Sequence, residues 1–335
     1  MNSNMTDAIH RSTLVLDTHV DFPWPETPDP ALPSARCVDF PKMAAGGVGA
    51  VVLIAYVGQG ARDAAGHAAA RARADGMLAR IAADAANPVG PPRVAARTAD
   101  EVEAAFAAGK LAILAGVENG YAMGGEISAL ADFHKAGAIY LTLTHDGHNN
   151  LADAARPRPN LGDGPEEHGG LSAFGRQAIA ELNRLGMLVD VSHASKTAML
   201  QAAQVSRSPI VATHTGCKAL VDHPRNLDDE QLDALRAVGG LCQITAVASF
   251  LRADGRASLA DYLDHVDHAV ARIGIDHTGL SSDFDGGGGF AGWRDASQTG
   301  AVTEGLLARG YTAREVGLLW SGNFLRLMRI AARGS

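Results

Sequence analysis

The sequence predicts an α/β protein: a closed (β/α)8 barrel of the TIM-like kind, forming one domain over residues 1–335. Two observations predict it. Eight short apolar segments alternate with segments of helical periodicity, which is the pattern of parallel strands joined by helical crossovers. A length of 335 residues is long for an ordinary domain but normal for such a barrel, which commonly exceeds about two hundred residues as one unit. The competing arrangement is an open doubly wound sheet, but no glycine-rich phosphate loop follows the first strand. The glycine run at 286–289 opens no helix, contains no lysine, and reads as a flexible turn.

The first strand covers residues 14–21 and ends in Asp17, His19 and Asp21, which the two-residue period of a strand places on one face. Residues 22–41 carry six prolines and must be loop. Residues 48–57 are apolar throughout, as a strand buried on both faces should be. Helices are predicted over 61–86 and over 98–109, the second opened by the capping pair Thr98 and Glu101 and closed by Gly109. A strand over 111–117 leads to Glu118, and a helix over 126–135 precedes a strand at 138–144 that ends at His145. Residues 146–170 lack periodicity, and a structureless stretch of this length is usually mobile or functional. Strands at 187–191, 209–213, 241–247 and 278–281 follow, with helices at 172–185, 195–205, 228–238 and 259–273 between and before them. One amphipathic helix is predicted for 312–332.

Composition narrows the function. Apolar residues make up 47% of the chain and charged ones 20%, so a large core is expected and disorder is not. The net charge of −8 and a pI of about 5.9 argue against nucleic acid as a partner. Cys37, Cys217 and Cys242 have no spacing that suggests a disulfide framework or a thiolate metal site. Residues 1–13 read as a polar tail without a signal peptide, and no apolar stretch approaches the roughly twenty residues of a membrane span. A cytoplasmic protein without membrane attachment is the expectation.

In a βα barrel the C-terminal ends of the strands share one face. His19, Asp21, Glu118, His145, His193, His214 and Asp283 all fall at such ends, so seven groups able to bind metal or carry protons converge on one rim. The remaining histidines, at 10, 67, 134, 148, 168, 223, 265, 268 and 277, lie elsewhere and are assigned structural roles. Imidazole and carboxylate are zinc's usual donors when no thiolate is present. His19, Asp21, Glu118, His193 and His214 are too many ligands for one catalytic ion with an open position, and suit two ions sharing Glu118. Such a pair brings the pKa of a bridging water near about 7, the chemistry of carbonyl or phosphoryl hydrolysis.

The matching pieces DTHVD, GVEN, LTLTHDGHN, DVSHAS, ATHTGCKAL, HPRNLDDE, LSSDFDG and a terminal SGNFLRLM occur in family order along nearly the whole chain. With them the sequence resembles the membrane (renal) dipeptidases of the amidohydrolase-type metal-dependent hydrolase superfamily. The resemblance implies a two-zinc centre, with His19 and Asp21 on one ion, His193 and His214 on the other, and Glu118 between. It implies that Arg225 holds the C-terminal carboxylate of a dipeptide, that His145 polarises the scissile carbonyl, and that Asp283 handles protons. Taken alone, Arg225 reads as a surface ion pair and Asp283 equally as a ligand or a structural carboxylate. Asp17 is assigned to orienting a ligand. The expected activity is a zinc-dependent dipeptidase; the alternative is a related binuclear hydrolase of another amide, a lactone or a phosphoester. A small dipeptide is the expected partner, and a homodimer is compatible with the sequence. One departure is GGLCQITAV at 239–247, where family members often carry an Asn-Phe-Tyr aromatic contact.

Overall fold

A computed structural model describes residues 3–22 and 28–334 and carries the expected barrel. Its strands are β1 (Val15–Asp21), β2 (Val48–Tyr56), β3 (Arg93–Ala95), β4 (Leu111–Glu118), β5 (Ala138–Thr142), β6 (Leu188–Asp190), β7 (Val211–Thr215), β8 (Leu241–Ile244) and β9 (Thr278–Leu280). All pairings are parallel, in the order β1-β2-β4-β5-β6-β7-β8-β9. Closure comes just past β9, where Asp283 N–H donates to the His19 carbonyl at 3.1 Å and Asp21 N–H to the Phe284 carbonyl at 3.0 Å. The barrel is thus joined beside its candidate site residues.

Strand alternation sorts the core into two layers. Ala50, Val52 and Ile54 of β2 join Ala112, Leu114, Tyr140, Leu188, Val211 and Leu241 in one buried cluster. Phe324, Leu327 and Met328 of the C-terminal helix Asn323–Arg333 complete it, packing near the first residues of the strands. The intervening Val51, Leu53, Ala55, Ile113 and Ala115 face the helices, including Ala70, Ala74 and Met77 of helix Ala64–Ala86. Each buried aliphatic side chain of leucine or valine size contributes about 1.5–3 kcal/mol. A cavity of about 650 Å³ opens at this lower end, lined by Arg97, His134, Leu188, Met328 and Arg329. It holds none of the seven convergent groups, and Arg329 is occupied by Asp100 and Glu103.

Several expectations are corrected. Residues 3–12 are not a tail but the helix Ser3–Ser12, whose His10 is buried and bonds Thr303 Oγ1 at 2.8 Å and the Gly46 carbonyl at 2.7 Å. The proline-rich stretch ends in an unforeseen helix, Phe40–Ala45, with Pro41 in its first turn and Asp39 as N-cap; residues 23–27 of that stretch lie outside the described residues. Strand β3 was not anticipated; it pairs with the first residues of β4, and β5 joins further along, at Ala115. Helices Ala248–Leu251 and Gly300–Ala308 were likewise missed. The last helix is three pieces, Ala313–Gly317, a π turn at Leu318–Gly322, and Asn323–Arg333.

The two segments read as loose are held. Within 146–170, Asp153 accepts backbone N–H groups from Glu167, His168 and Gly170 at 2.8–3.2 Å, which ties the segment into one body. The glycine run is equally tight. A Cβ on Gly288 would lie 1.9 Å from the Ser282 carbonyl, and one on Gly286 2.4 Å from Asp283 Oδ1 and 2.9 Å from Asp21 Oδ2. Glycine is required there by close approach, not for mobility. Among the described residues no helix is long and apolar enough to cross a membrane.

Candidate metal centre

Period-two alternation along β1 does bring His19 and Asp21 to one face, with His19 Nε2 3.7 Å from Asp21 Oδ1. Glu118 closes β4 at the middle of the group. Its Oε2 lies 3.6 Å from His19 Nε2, while its Oε1 lies 3.1 Å from His193 Nε2 and 3.4 Å from His214 Nε2. One carboxylate therefore faces two separate histidine sets, one with each oxygen. Asp283 Oδ1 stands 3.9 Å from His19 Nε2. Its backbone adopts φ +58°, and Asp285 has φ +62°, a left-handed conformation that aspartate tolerates better than most residues. Asp285 fixes the turn by accepting from the N–H groups of Cys37 and Val38 at 2.8 and 3.1 Å.

The imidazoles are oriented from behind. Tyr140 donates its hydroxyl to the Thr18 carbonyl at 2.9 Å, so its oxygen accepts from His19 Nδ1 at 3.0 Å. Thr213 donates to Asp190 Oδ2 at 2.8 Å and accepts from His214 Nδ1 at 2.9 Å. In both residues these acceptors hold the Nδ1 proton, which turns Nε2 toward Glu118. His193 Nδ1 lies 3.3 Å from Asp146 Oδ1, and Arg156 backs that carboxylate at 3.2 Å. Asp17 accepts the backbone N–H groups of His19 at 3.4 Å and Ser282 at 3.1 Å, so it locks β1 to the segment carrying Asp283 and positions main chain.

The donor set fits divalent ions. His19 Nε2, Asp21 Oδ1 and Glu118 Oε1 are buried without hydrogen-bond partners. Orphan polar atoms of this kind cost about 1–3 kcal/mol each unless something satisfies them. Three close-set groups could each hold a metal: Glu118, His145 and His193; His19, Asp21 and Asp283; and His19, Asp190 and His214. The last is weaker, since Asp190 is already engaged by Thr142, Ser192 and Thr213. Charge points the same way. Burial and the neighbouring Glu118 and Asp283 push the Asp21 carboxyl well up, and burial raises Asp283 to about 6. Burial disfavours a proton on His19, yet Glu118, Asp283 and Asp21 carry its pKa to about 9. The cluster holds more negative charge than its own cations balance.

Two further predicted residues flank the cluster. The His145 ring lies 4.2 Å from the His193 ring and meets Tyr56 edge-on at 4.8 Å. Burial, helped by His193, lowers its pKa to about 3, so it is a neutral imidazole. Arg225 is buried at 2% exposure, with Nη2 on the His214 carbonyl at 3.3 Å and Phe250 under the guanidinium at 5.4 Å. Its Nε and Nη1 have no partner, and burial brings its pKa down to about 10. His223 accepts the Arg225 N–H at 3.1 Å and stacks on Phe250 at 4.4 Å, which fixes the loop. All eight predicted site residues therefore meet at one rim. The residues missed were Tyr140, Thr213 and Asp146; only Asp146, directly after His145, carried a sequence signal.

A parallel βα barrel bearing clustered imidazoles and carboxylates at its strand ends is the architecture of a metal-centred protein. The model of the membrane dipeptidase family (peptidase family M19) matches residues 4–334, and the chain belongs to that family. It is 37% identical over 236 residues to dipeptidase tcpJ of Claviceps purpurea, covering 70% of this chain and 54% of that protein. It is 34% identical over 225 residues to dipeptidase 3 of Macaca fascicularis, covering 67% and 46%. The chain thus spans about half the length of the curated relatives it matches. Among solved structures, the probable dipeptidase PvdM of Pseudomonas aeruginosa aligns over 99% of this chain and 98% of its own, with TM-score 0.89 and 27% identity. A Rhodobacter sphaeroides metallo peptidase, solved with a phosphinate mimic of the dipeptide L-Ala-D-Ala, aligns over 96% and 100%, with TM-score 0.82 and 27% identity.

Proposed function

We propose that this protein is a zinc-dependent dipeptidase acting on dipeptides with a free C-terminal carboxylate. The observation that carries the reading is the division of Glu118 between two donor sets, His19 with Asp21 and His193 with His214. These five residues would hold two divalent ions, which when bound supply hydroxide at neutral pH and polarise a carbonyl. The chain's own residues do the rest. Arg225 offers the substrate carboxylate a buried guanidinium whose Nε and Nη1 are unpaired, a planar cation suited to that group. His145, neutral through burial, donates an N–H to the carbonyl oxygen as negative charge develops there.

Hydrolysis adds hydroxyl to the carbonyl carbon, breaks the C–N bond, and requires a proton on the departing nitrogen. Asp283, whose carboxyl burial raises toward neutrality, takes the proton released by water and returns it to the amine. The Rhodobacter relative's dipeptide mimic supports this choice of substrate. The test is a metal assay of the purified protein together with a screen of L-L and L-D dipeptides against esters, lactones and phosphoesters. Two zinc ions per chain and turnover of dipeptides alone are expected. Turnover of lactones or phosphoesters without dipeptides would overturn the substrate assignment, and one ion per chain would overturn the binuclear one.

A further inference from the structure

Most arginines among the described residues have a side-chain partner. Among the described residues, the side chains of Arg158, Arg207, Arg236, Arg294, Arg314 and Arg333 alone take part in no hydrogen bond or ion pair. Five of these are exposed, and only Arg158 is half-buried. A half-buried arginine whose guanidinium has no acceptor supplied by the protein is free to take an anion.

Its place makes the anion part of the substrate. Arg158 is fixed by its own backbone, with its N–H on Asp163 Oδ2 at 2.7 Å and its carbonyl accepting Leu161 N–H at 2.8 Å. Its stem then runs over Gly147, two residues past His145. A Cβ at Gly147 would lie 3.2 Å from both Arg158 Cγ and Arg158 Cδ, and 2.9 Å from Gln59 Cγ, so the glycine keeps that path open. The Tyr56 hydroxyl is pushed up to about 12 by burial and by Glu118 and Asp21, with the positive charge of Arg158 opposing them. The Tyr56 ring in turn packs edge-on against His145. Through Gly147 and Tyr56, Arg158 thus lies on the His145 side of the candidate site, apart from Arg225, whose neighbours are His214 and Phe250.

We propose that Arg158 is a specificity residue that receives a carboxylate on the side chain of the substrate, so that dipeptides containing aspartate or glutamate are the preferred class. This rests on the dipeptidase reading. Two separated guanidinium groups then meet two carboxylates, with Arg225 taking the terminal one. The molecule's net charge of −8 would otherwise disfavour a substrate with an extra carboxylate and a net negative charge, and Arg158 supplies the local attraction that offsets it.

The experiment compares kcat/KM for isosteric pairs, Glu-Ala against Gln-Ala and Ala-Glu against Ala-Gln, in the zinc-loaded wild type and in Arg158→Met and Arg158→Lys. In the wild type one acidic member should exceed its amide by on the order of tenfold, identifying which residue's side chain meets Arg158. The ratio should fall to about one in Arg158→Met and recover in part in Arg158→Lys, which keeps the charge but loses the fork. Three results would overturn the proposal: no acid preference in either pair, a preference that survives Arg158→Met, or an equal loss on all four substrates, which would place Arg158 on the terminal carboxylate or the fold. If no dipeptide of any kind is cleaved, the dipeptidase reading itself falls and this proposal with it, a pattern distinct from cleavage without preference.

Discussion

At the scale of single residues, the candidate site separates groups that bind from groups that orient, and substitutions should separate them too. Replacing Arg225 by alanine should lower kcat/KM for dipeptides by about a hundredfold, the loss of a buried bidentate pair of roughly 2–3 kcal/mol, while metal content by elemental analysis is unchanged. Asp283→Asn should lower kcat by about two to four orders of magnitude with the ions retained, and an active variant would remove its proton-carrying role. Thr213→Val keeps shape but removes the acceptor for His214 Nδ1; zinc affinity in a chelator competition should drop by about 10–100-fold. The candidate ligands were legible because metal and proton chemistry confines such residues to a few types at strand ends. Thr213 and Tyr140 were not, since an ordinary threonine or tyrosine gains its role only from the neighbour that the closed barrel brings beside it.

At the scale of elements, the loop that carries Arg225 depends on a helix behind it. His265, on helix Leu259–Ile273, accepts the Cys217 N–H at Nδ1 at 2.9 Å and donates from Nε2 to the Leu251 carbonyl at 3.2 Å. Only the neutral ring can do both. Burial lowers its pKa from 6.5 to about 4, so the unfolded chain binds this proton more readily than the folded one. Its contribution is fully present above pH 6.5 and is lost as the pH falls toward 4, a change of about 3 kcal/mol. Urea unfolding across that window should show a slope in the wild type that is flatter in His265→Gln; equal slopes would discard the linkage. Sequence reading placed the strands of the barrel well because apolar runs of the right length admit few alternatives. It missed helix Ser3–Ser12, where few apolar residues mark a buried face, and the π turn at Leu318–Gly322, which leaves helical periodicity nearly intact. It took glycines 286–289 as loose because a sequence cannot reveal what lies against a missing side chain.

At the scale of the whole molecule, the excess of buried negative charge should make stability depend on metal. Ions that bind only the folded state stabilise it by about 2.7 kcal/mol per site at a hundredfold excess over Kd. Removing them with a chelator should lower Tm by several degrees, and returning zinc should restore it. An unchanged Tm would mean that the cluster balances its charge without a cation. The joining of the barrel has a further consequence. Its two closing hydrogen bonds tie His19 and Asp21 to Asp283 and Phe284, so the candidate site straddles the seam where β1 meets the segment that follows β9. A ribosome must release everything from β1 to Phe284 before that meeting can occur. Until then His19 and Asp21 cannot be brought beside Asp283, and the donor cluster stays unassembled.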